Sequence, residues 1–285
     1  MGTSTIKLKK HESFSIREGW LEKGINIIKS NQNCFLKDQG STNFGIGTNM
    51  VKSLKYWLDV CDLASFKQGA FLTPFGELLL IYDRYLEDIF SWWLIHVNLS
   101  TNNDLARVIN EYFNMDYTKI EKEAFIKYLI DKLSQNYIIS SESSLESDVS
   151  VLFKTYHASD SSNPEQNLNC PLSKLGLINI VNKKYVKTNP KLSSLNYLVV
   201  YYCFMKLISS QSTSNTNDTY NLEDLVKLDN NPLKILNISM SALMIYFDEM
   251  KNHGLINITK TAGLNTVKFE EKLELMEIFK EYYKG

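Results

Sequence analysis

The segment FGIGTNMVKSLKYWL, residues 44–58, contains the pattern from which the N-terminal part of the fold can be worked out. A turn with two glycines leads into Thr48, a residue type that is favoured at helix N-termini and is expected to cap a helix here. That helix has an apolar stripe made of Met50, Val51, Leu54, Tyr56, Trp57, Leu58 and Cys61. Its opposite face is polar and carries Asn49, Lys52, Ser53 and Lys55.

The segments on both sides of this helix complete a known order. Residues 20–28 predict an earlier amphipathic helix, and residues 38–42 predict a polar turn between the two helices. Residues 63–66 and 70–73 predict two short strands, and Pro74 begins another helix. This order is typical of a winged helix-turn-helix, whose second helix lies in the major groove of DNA. A small α+β core that binds nothing, or a module that binds proteins, would show the same order.

The last third of the chain repeats the pattern. Asn221 is expected to cap a short helix and Ser239 a longer one, which ends before Gly254. Strands at residues 255–259 and 266–269 follow, and a final amphipathic helix closes the chain. This succession of helix, strand, turn and strand is again that of a winged helix.

These patterns together predict a mainly α fold with small β-hairpin wings, in which two winged helix-turn-helix units are joined by a helical middle region. Residues 1–157 are expected to form the N-terminal winged-helix unit plus the helical region. Residues 158–169 are polar and are expected to be a linker or loop. Residues 170–285 are expected to form a C-terminal helical and winged-helix domain, with a long apolar helix from about Leu192 to Ser209.

Composition restricts the class of protein. Of 285 residues, 44% are hydrophobic and 22% are charged, which provides a core and excludes wholesale disorder. The 12 glycines and 5 prolines are few for a glycine-punctuated α/β enzyme. The four cysteines are distant from one another and form no CxxC motif, so a reducing cytoplasm is the expected location. The longest apolar run, residues 195–208, is shorter than the roughly twenty residues of a membrane span, so no membrane contact is expected.

Charge is unevenly distributed along the chain. Residues 1–57 carry 9 Lys or Arg and 4 Asp or Glu, a net charge of +5. Residues 58–157 carry 8 and 15, a net charge of −7, and residues 158–285 carry 14 and 13, a net charge of +1. Either the surface charges vary by chance, or a basic N-terminal end faces phosphate. On the second interpretation the N-terminal unit dominates DNA affinity, and the C-terminal unit serves in packing, dimerisation or partner docking.

Sequence motifs of common enzymes are absent: there is no GxSxG, no GxxxxGK[ST], no GxGxxG and no HExxH. The strongest catalytic candidates are His11, Glu12 and Arg17, in a polar segment that is expected to be exposed. Such a group could orient a phosphate and transfer a proton, and it could equally be an N-terminal salt-bridge cluster. The candidate DNA-binding residues are Arg17, Lys23, Thr48, Asn49, Lys52, Ser53 and Lys55.

Carboxylates form the other cluster of interest. A nuclease uses two or three carboxylates to hold a divalent metal beside the scissile phosphate. Glu77, Glu87 and Asp88, with Asp83 nearby, are candidate ligands for magnesium or manganese. Charges on a solvated helix face would look the same.

Several short motifs resemble those of a bacterial family catalogued as domain of unknown function 4007, and they occur in the same order. These motifs are HESF (11–14) with Arg17, WLEKG (20–24), GIGTNMV (45–51), KYW (55–57), LTPFGE (72–77), DRYLED (83–88), WLIH (93–96) and CPL (170–172). Thr48 stands where the family commonly has Lys, and Arg84 stands where it has Pro.

The resemblance implies a function in DNA metabolism. That family is found with cysteine desulfurases and sulfotransferase-like proteins in DNA phosphorothioation and phage-defence systems, and one branch, the SspB proteins, is described as DNA nickases. The first hypothesis is therefore a duplex-DNA-binding protein of such a system, which nicks DNA to allow backbone sulfur insertion. The second is a non-catalytic winged-helix regulator or scaffold for the modification enzymes, which the absence of a convincing nuclease motif favours. Partners would be double-stranded DNA and other proteins of the system, and a homodimer is left open.

Overall fold

Helices dominate the computed structural model, which describes residues 4–36, 39–158, 170–211, 218–261, 264–270 and 272–284. The predicted class, mainly helical with small antiparallel sheets, is confirmed. The chain divides into two units, Met1–Thr188 and Asn189–Gly285. The predicted linker at 158–169 lies outside the described residues except for Ala158. None of the described helices is long and apolar enough to cross a membrane.

The first unit alternates helices with very short strands. Its elements are β1 (Ser4–Thr5), α1 (Trp20–Ser30), α2 (Gly40–Phe44), α3 (Thr48–Val60), β2 (Ala64–Ser65), β3 (Phe71–Leu72), α4 (Pro74–Tyr82), α5 (Ile89–Thr101), α6 (Arg107–Asn114), β4 (Lys119–Ile120), α7 (Lys122–Leu133), β5 (Tyr137–Ile138), α8 (Glu142–Tyr156), a 3-10 helix (Pro171–Leu175), β6 (Ile178–Val181) and β7 (Lys184–Lys187).

The predicted order of helix, turn, helix and hairpin is present in α1 to β3, with two local differences. Gly40–Phe44 forms the short helix α2 where a turn was predicted, and Gly45, with φ of 61°, ends it. Gly47, in extended conformation, is the N-cap residue of α3, and Thr48 is the first helical residue. Thr48 therefore does not cap α3, and its hydroxyl lies 3.4 Å from that of Ser41.

Close packing joins α1 to α3. The buried side of α1 includes Trp20, Leu21 and Ile25, and that of α3 includes Leu54, Trp57 and Leu58. A Cβ at Gly24 would lie 2.8 Å from a methyl group of Leu58, so the absence of a side chain at position 24 lets the two helices approach closely.

The centre of the first unit is α5. Its residues from Phe90 to Ser100 are all buried, including His96, whose Nδ1 lies 2.7 Å from the Tyr156 hydroxyl. Strands β4, β7 and β6 form an antiparallel sheet in that order. This sheet places residues 178–187 with the first unit, and β1 pairs in parallel with β5.

The second unit contains a 3-10 helix and α9 to α13 around one three-stranded sheet. Its elements are a 3-10 helix (Leu192–Ser194), α9 (Tyr197–Ser210), β8 (Thr219–Asn221), α10 (Leu222–Leu225), α11 (Pro232–Ile235), α12 (Met240–Asn252), β9 (Ile256–Thr261), β10 (Leu264–Phe269) and α13 (Leu275–Tyr283). Strand β10 lies between β8 and β9, antiparallel to both.

The predicted helix caps of this unit are confirmed. The Asn221 side chain accepts a hydrogen bond from the Glu223 amide, and that of Ser239 accepts one from the Ala242 amide. Gly254 follows α12 with φ of 73°, as expected of a glycine just beyond a helix. The long apolar helix begins later than predicted, because Asn196 caps α9 through the Leu198 amide.

We predict that Gly76→Ala destabilises the protein, although alanine is favoured over glycine in a helix by about 1 kcal/mol. A Cβ at position 76 would lie 2.2 Å from the Leu63 carbonyl oxygen, a backbone atom beside the hairpin. We expect a loss of about 2 kcal/mol in the free energy of unfolding, as for an overpacked core, measured by urea denaturation.

The matched control is Gly47→Ala, where φ is −63° and no atom lies within 4 Å of the added Cβ. It should cost less than about 1 kcal/mol, since only an N-cap preference is lost. Equal stabilities of the two variants would contradict the close approach of α4 to Leu63.

Candidate nucleic-acid interface

The polar side of α3 is the surface predicted to contact DNA. Thr48, Asn49, Lys52 and Lys55 are all exposed, and their spacing places them on adjacent positions of one helical side. We call these four residues the α3 face. The first turn of α3 has no side-chain cap, so its backbone N–H groups retain donor capacity beside Thr48.

The two lysines of the α3 face are oriented by neighbouring groups. Lys52 Nζ donates to Asn49 Oδ1 at 3.3 Å and lies 3.9 Å from Glu12 Oε1. Lys55 Nζ lies 5.0 Å from the ring centroid of Phe66, in the loop between β2 and β3. A cation over an aromatic ring is held in place while it stays accessible to solvent.

Ser53 does not belong to this surface. It is fully buried, and its hydroxyl donates to the Phe14 carbonyl oxygen at 3.5 Å. Position 53 lies at the border between the polar and apolar sides of α3, and the segment before α1 covers it. The burial of Ser53 therefore does not favour the predicted DNA contact at this position.

Lys23 and Arg17 make contacts within the protein. The exposed Lys23 donates from Nζ to the Phe44 carbonyl oxygen at 2.6 Å, where α2 ends and a cation is favoured. The guanidinium of Arg17 lies 5.6 Å from the ring centroid of Phe14 and 5.5 Å from that of Trp20. Both side chains stabilise the start of the unit, and Lys23 keeps its charge at the surface.

His11 lies in the interior, contrary to the expectation of an exposed segment. Its residue is 4% exposed, and its ring stacks on Trp57 with a centroid distance of 6.2 Å and an interplanar angle of 17°. Nδ1 accepts a hydrogen bond from the Ser13 amide at 3.1 Å, so in the neutral ring the proton is on Nε2. Nε2 lies 2.9 Å from Asp148 Oδ1, although not in line for a hydrogen bond.

The surroundings of His11 leave no room for a substrate. The cavity beside it, lined also by Tyr56, Trp57 and Asp148, holds about 10 Å³, which is close to the lower limit for one water molecule. Burial, and then the Asp148 charge, raise the pKa of Tyr56 well above its usual range. The Tyr56 hydroxyl donates to the Leu105 carbonyl oxygen at 3.1 Å. This geometry gives His11 a packing role.

The three predicted catalytic residues consequently face different surroundings. His11 points inward, Glu12 points toward Lys52, and Arg17 covers Phe14 and Trp20. The structure does not assemble them into one acid–base group.

Two of the three predicted metal ligands, Glu77 and Asp88, have structural partners instead. Both oxygens of Glu77 accept hydrogen bonds from Lys29 Nζ, at 2.9 and 2.7 Å. Asp83 accepts hydrogen bonds from the amides of Glu87 and Asp88, at 2.9 and 3.1 Å, and Asp88 caps α5. In the part of the chain that the structure describes, no three His, Cys, Asp or Glu side chains form a group that could hold a metal ion. The carboxylates predicted to bind magnesium or manganese therefore do not form a three-ligand metal site.

Sequence reasoning missed the partner of His11. Asp148 lies on α8, far along the chain, and it accepts a hydrogen bond from the Lys9 amide at 2.8 Å. Its neighbour Ser147 has its hydroxyl 3.0 Å from that of Ser13. Nothing local in the sequence signals this pairing.

Comparisons with known proteins identify the family and the fold. The family model described as "Protein of unknown function (DUF4007)" matches residues 8–283, so the chain belongs to this family, as the sequence motifs indicate. A magnesium ion-bound SspB crystal structure is similar with a TM-score of 0.85, and an SspB crystal structure with a TM-score of 0.86. Each is 21% identical, and the alignments cover 99% of this chain and 89% of the other. No curated protein matches.

We predict that His11→Ala destabilises the protein by about 2 kcal/mol or more, because a buried ring stacked on Trp57 is removed. The measurement is the free energy of unfolding in urea at neutral pH. His157→Ala, at a half-exposed position after α8, is the control and should cost less than about 1 kcal/mol. If His11→Ala is no less stable than His157→Ala, the ring is not part of the core.

Proposed function

We propose that this DUF4007 protein binds double-stranded DNA through the α3 face, as part of a bacterial DNA phosphorothioation system of phage defence. The observation that carries the proposal is the α3 face itself, a solvent-exposed cluster of two lysines, one threonine and one asparagine at the start of a helix. Lysines contact phosphates, and asparagine can pair with the edge of a base.

The surrounding elements support this proposal. The helices α1 to α3 followed by the β2–β3 hairpin have the order of a winged helix-turn-helix, in which α3 would be the recognition helix. The hairpin loop exposes Lys67 and Gln68, where a wing would contact the backbone. Residues 1–57 also carry the net charge of +5. The assignment to a DNA phosphorothioation system is proposed from the family and from the fold shared with the SspB structures.

The second unit has a different surface on its corresponding helix. On α12, Met240 and Ile245 are 41% and 48% exposed, and Asp248 and Glu249 are exposed further along. Apolar groups and carboxylates are poor partners for phosphate. We therefore assign this unit to dimerisation, or to docking of other proteins of the system, rather than to DNA.

The proposal has a catalytic form, in which the protein nicks DNA, and a non-catalytic form, in which it is a regulator or scaffold. Cleavage of one strand would open the backbone at the position where sulfur replaces a non-bridging oxygen. The burial of His11 and the structural partners of Glu77, Asp83 and Asp88 favour the non-catalytic form. Magnesium or manganese would serve the catalytic form, but the described carboxylates provide no three-ligand group, so no step through a metal is derived.

A plasmid assay separates the two forms. The nickase hypothesis predicts that highly purified protein converts supercoiled plasmid to the open circle with Mg²⁺ or Mn²⁺, and the regulator hypothesis predicts that the plasmid stays supercoiled. Should relaxation occur, His11→Ala, Glu77→Ala and Asp88→Ala, each checked for folding, would show whether the originally predicted residues contribute.

We predict that Lys52→Glu combined with Lys55→Glu weakens duplex binding and leaves the fold intact, because both side chains are exposed. Affinity for a short duplex should fall at least tenfold at low salt, and the slope of log K against log salt should flatten by about one unit for each lost phosphate contact. The measurement is fluorescence anisotropy with a labelled duplex over a salt series.

The matched control is Lys127→Glu combined with Lys154→Glu, two exposed lysines on α7 and α8. It makes the same change of net charge away from the α3 face and should retain most of the affinity. Equal losses of duplex affinity in the two double variants would mean that the α3 face is not the DNA-binding surface.

A further inference from the structure

The carboxylate of Glu12 lies next to the cation at the centre of the α3 face. Glu12 Oε1 is 3.9 Å from Lys52 Nζ, and the two side chains are 35% and 58% exposed. The ammonium also donates to Asn49, on its own helix. An acidic group from the segment before α1 thus occupies the surroundings of the lysine that the proposed function assigns to phosphate.

The backbone holds Glu12 in that position. Glu12 and Ser13 have φ of 50° and 68°, in the left-handed region that residues other than glycine rarely adopt. The turn is attached at several points: the Lys9 amide donates to Asp148 at 2.8 Å, the His11 ring lies on Trp57, and the Phe14 carbonyl accepts from Trp57 Nε1 at 3.0 Å. The turn cannot swing away from α3 while these contacts persist, so only the side chain of Glu12 is free to rotate.

A phosphate and this carboxylate would compete for the same ammonium. Both are anions, so a phosphate at Lys52 either displaces Glu12 or is repelled by it. An exposed ion pair is weak enough for a polyanion to open. A lysine that already has an internal counter-ion contributes less to DNA affinity, because its charge is partly neutralised before the phosphate arrives.

We propose that Glu12 is an autoinhibitory contact that competes with DNA phosphate for Lys52 and lowers the affinity of the α3 face for duplex DNA. A duplex that makes several contacts at once displaces Glu12, whereas a poorly fitting one does not. This inference rests on the proposed DNA-binding function and concerns the regulation of the same site.

The test replaces Glu12 by its neutral isostere. Glu12→Gln should bind a labelled duplex about three- to fivefold more tightly than the wild type at low salt, the size expected for loss of an exposed ion pair. The gain should shrink as salt screens the charges. The thermal unfolding midpoint, measured in parallel, should fall by no more than about 3 °C, because only a weak, solvent-accessible ion pair is lost.

The matched control is Glu18→Gln. Glu18 belongs to the same segment, is exposed, and pairs with Lys174 at 3.6 Å instead of with the α3 face. Its loss makes the same change of net charge, and its affinity should equal that of the wild type. If Glu12→Gln and Glu18→Gln have the same effect, the gain is a general charge effect and the proposal is wrong.

A double-mutant cycle tests whether Glu12 acts through Lys52. In a Lys52→Met background, Glu12→Gln should no longer raise the affinity, and a persistent gain would overturn the proposal. The experiments distinguish failure of the proposed function from failure of the autoinhibitory contact. If Lys52→Glu with Lys55→Glu does not weaken binding, the proposed function is wrong. If those lysines matter but Glu12→Gln behaves as the wild type, only the autoinhibitory contact fails.

Discussion

The buried indole of Trp57 is the contact on which the N-terminal half of the first unit depends. Its Nε1 donates to the Phe14 carbonyl, and its face stacks on His11, so one side chain of α3 holds the turn that precedes α1. Through His11 the same turn reaches Asp148 on α8. The direction of the α3 face and the position of Glu12 both follow from one large side chain at one helical position.

Elements that depend on local patterns can be predicted from the sequence. The helices α3, α4 and α12 have apolar residues at helical spacing, and α4 and α12 also have a recognisable first turn, with Pro74 and Ser239. The hairpin β2–β3 and the strands β9 and β10 are bounded by turn residues. The exposed lysines of the α3 face follow from the same periodicity, since a helix with one buried side must present the other to solvent.

Features that depend on distant partners could not be predicted. His11 sits among polar residues, and its burial comes from Trp57 and Asp148. Strand β7 is completed by β4, which lies on the other side of α8 in the sequence. The carboxylates at 83, 87 and 88 were misleading for a local reason. The Asp83 carboxylate accepts hydrogen bonds from the backbone amides of both later residues. The close spacing of the three carboxylates therefore indicates a tight turn before a helix cap rather than a metal site.

The burial of α5 affects how the first unit folds. This helix has no solvated side from Phe90 to Ser100, and two of its polar groups pair with residues of other segments: Asn98 donates to the Cys61 carbonyl, and the Ser100 carbonyl accepts from Asn110. Alone, it would expose apolar surface all round, so it gains stability only when α3, α6 and α8 close around it. Such a helix couples segments that lie far apart in the sequence, so the chain must be synthesised at least through α8 before the unit acquires its core. The core around α5 is therefore expected to form cooperatively, when α3, α6 and α8 come together.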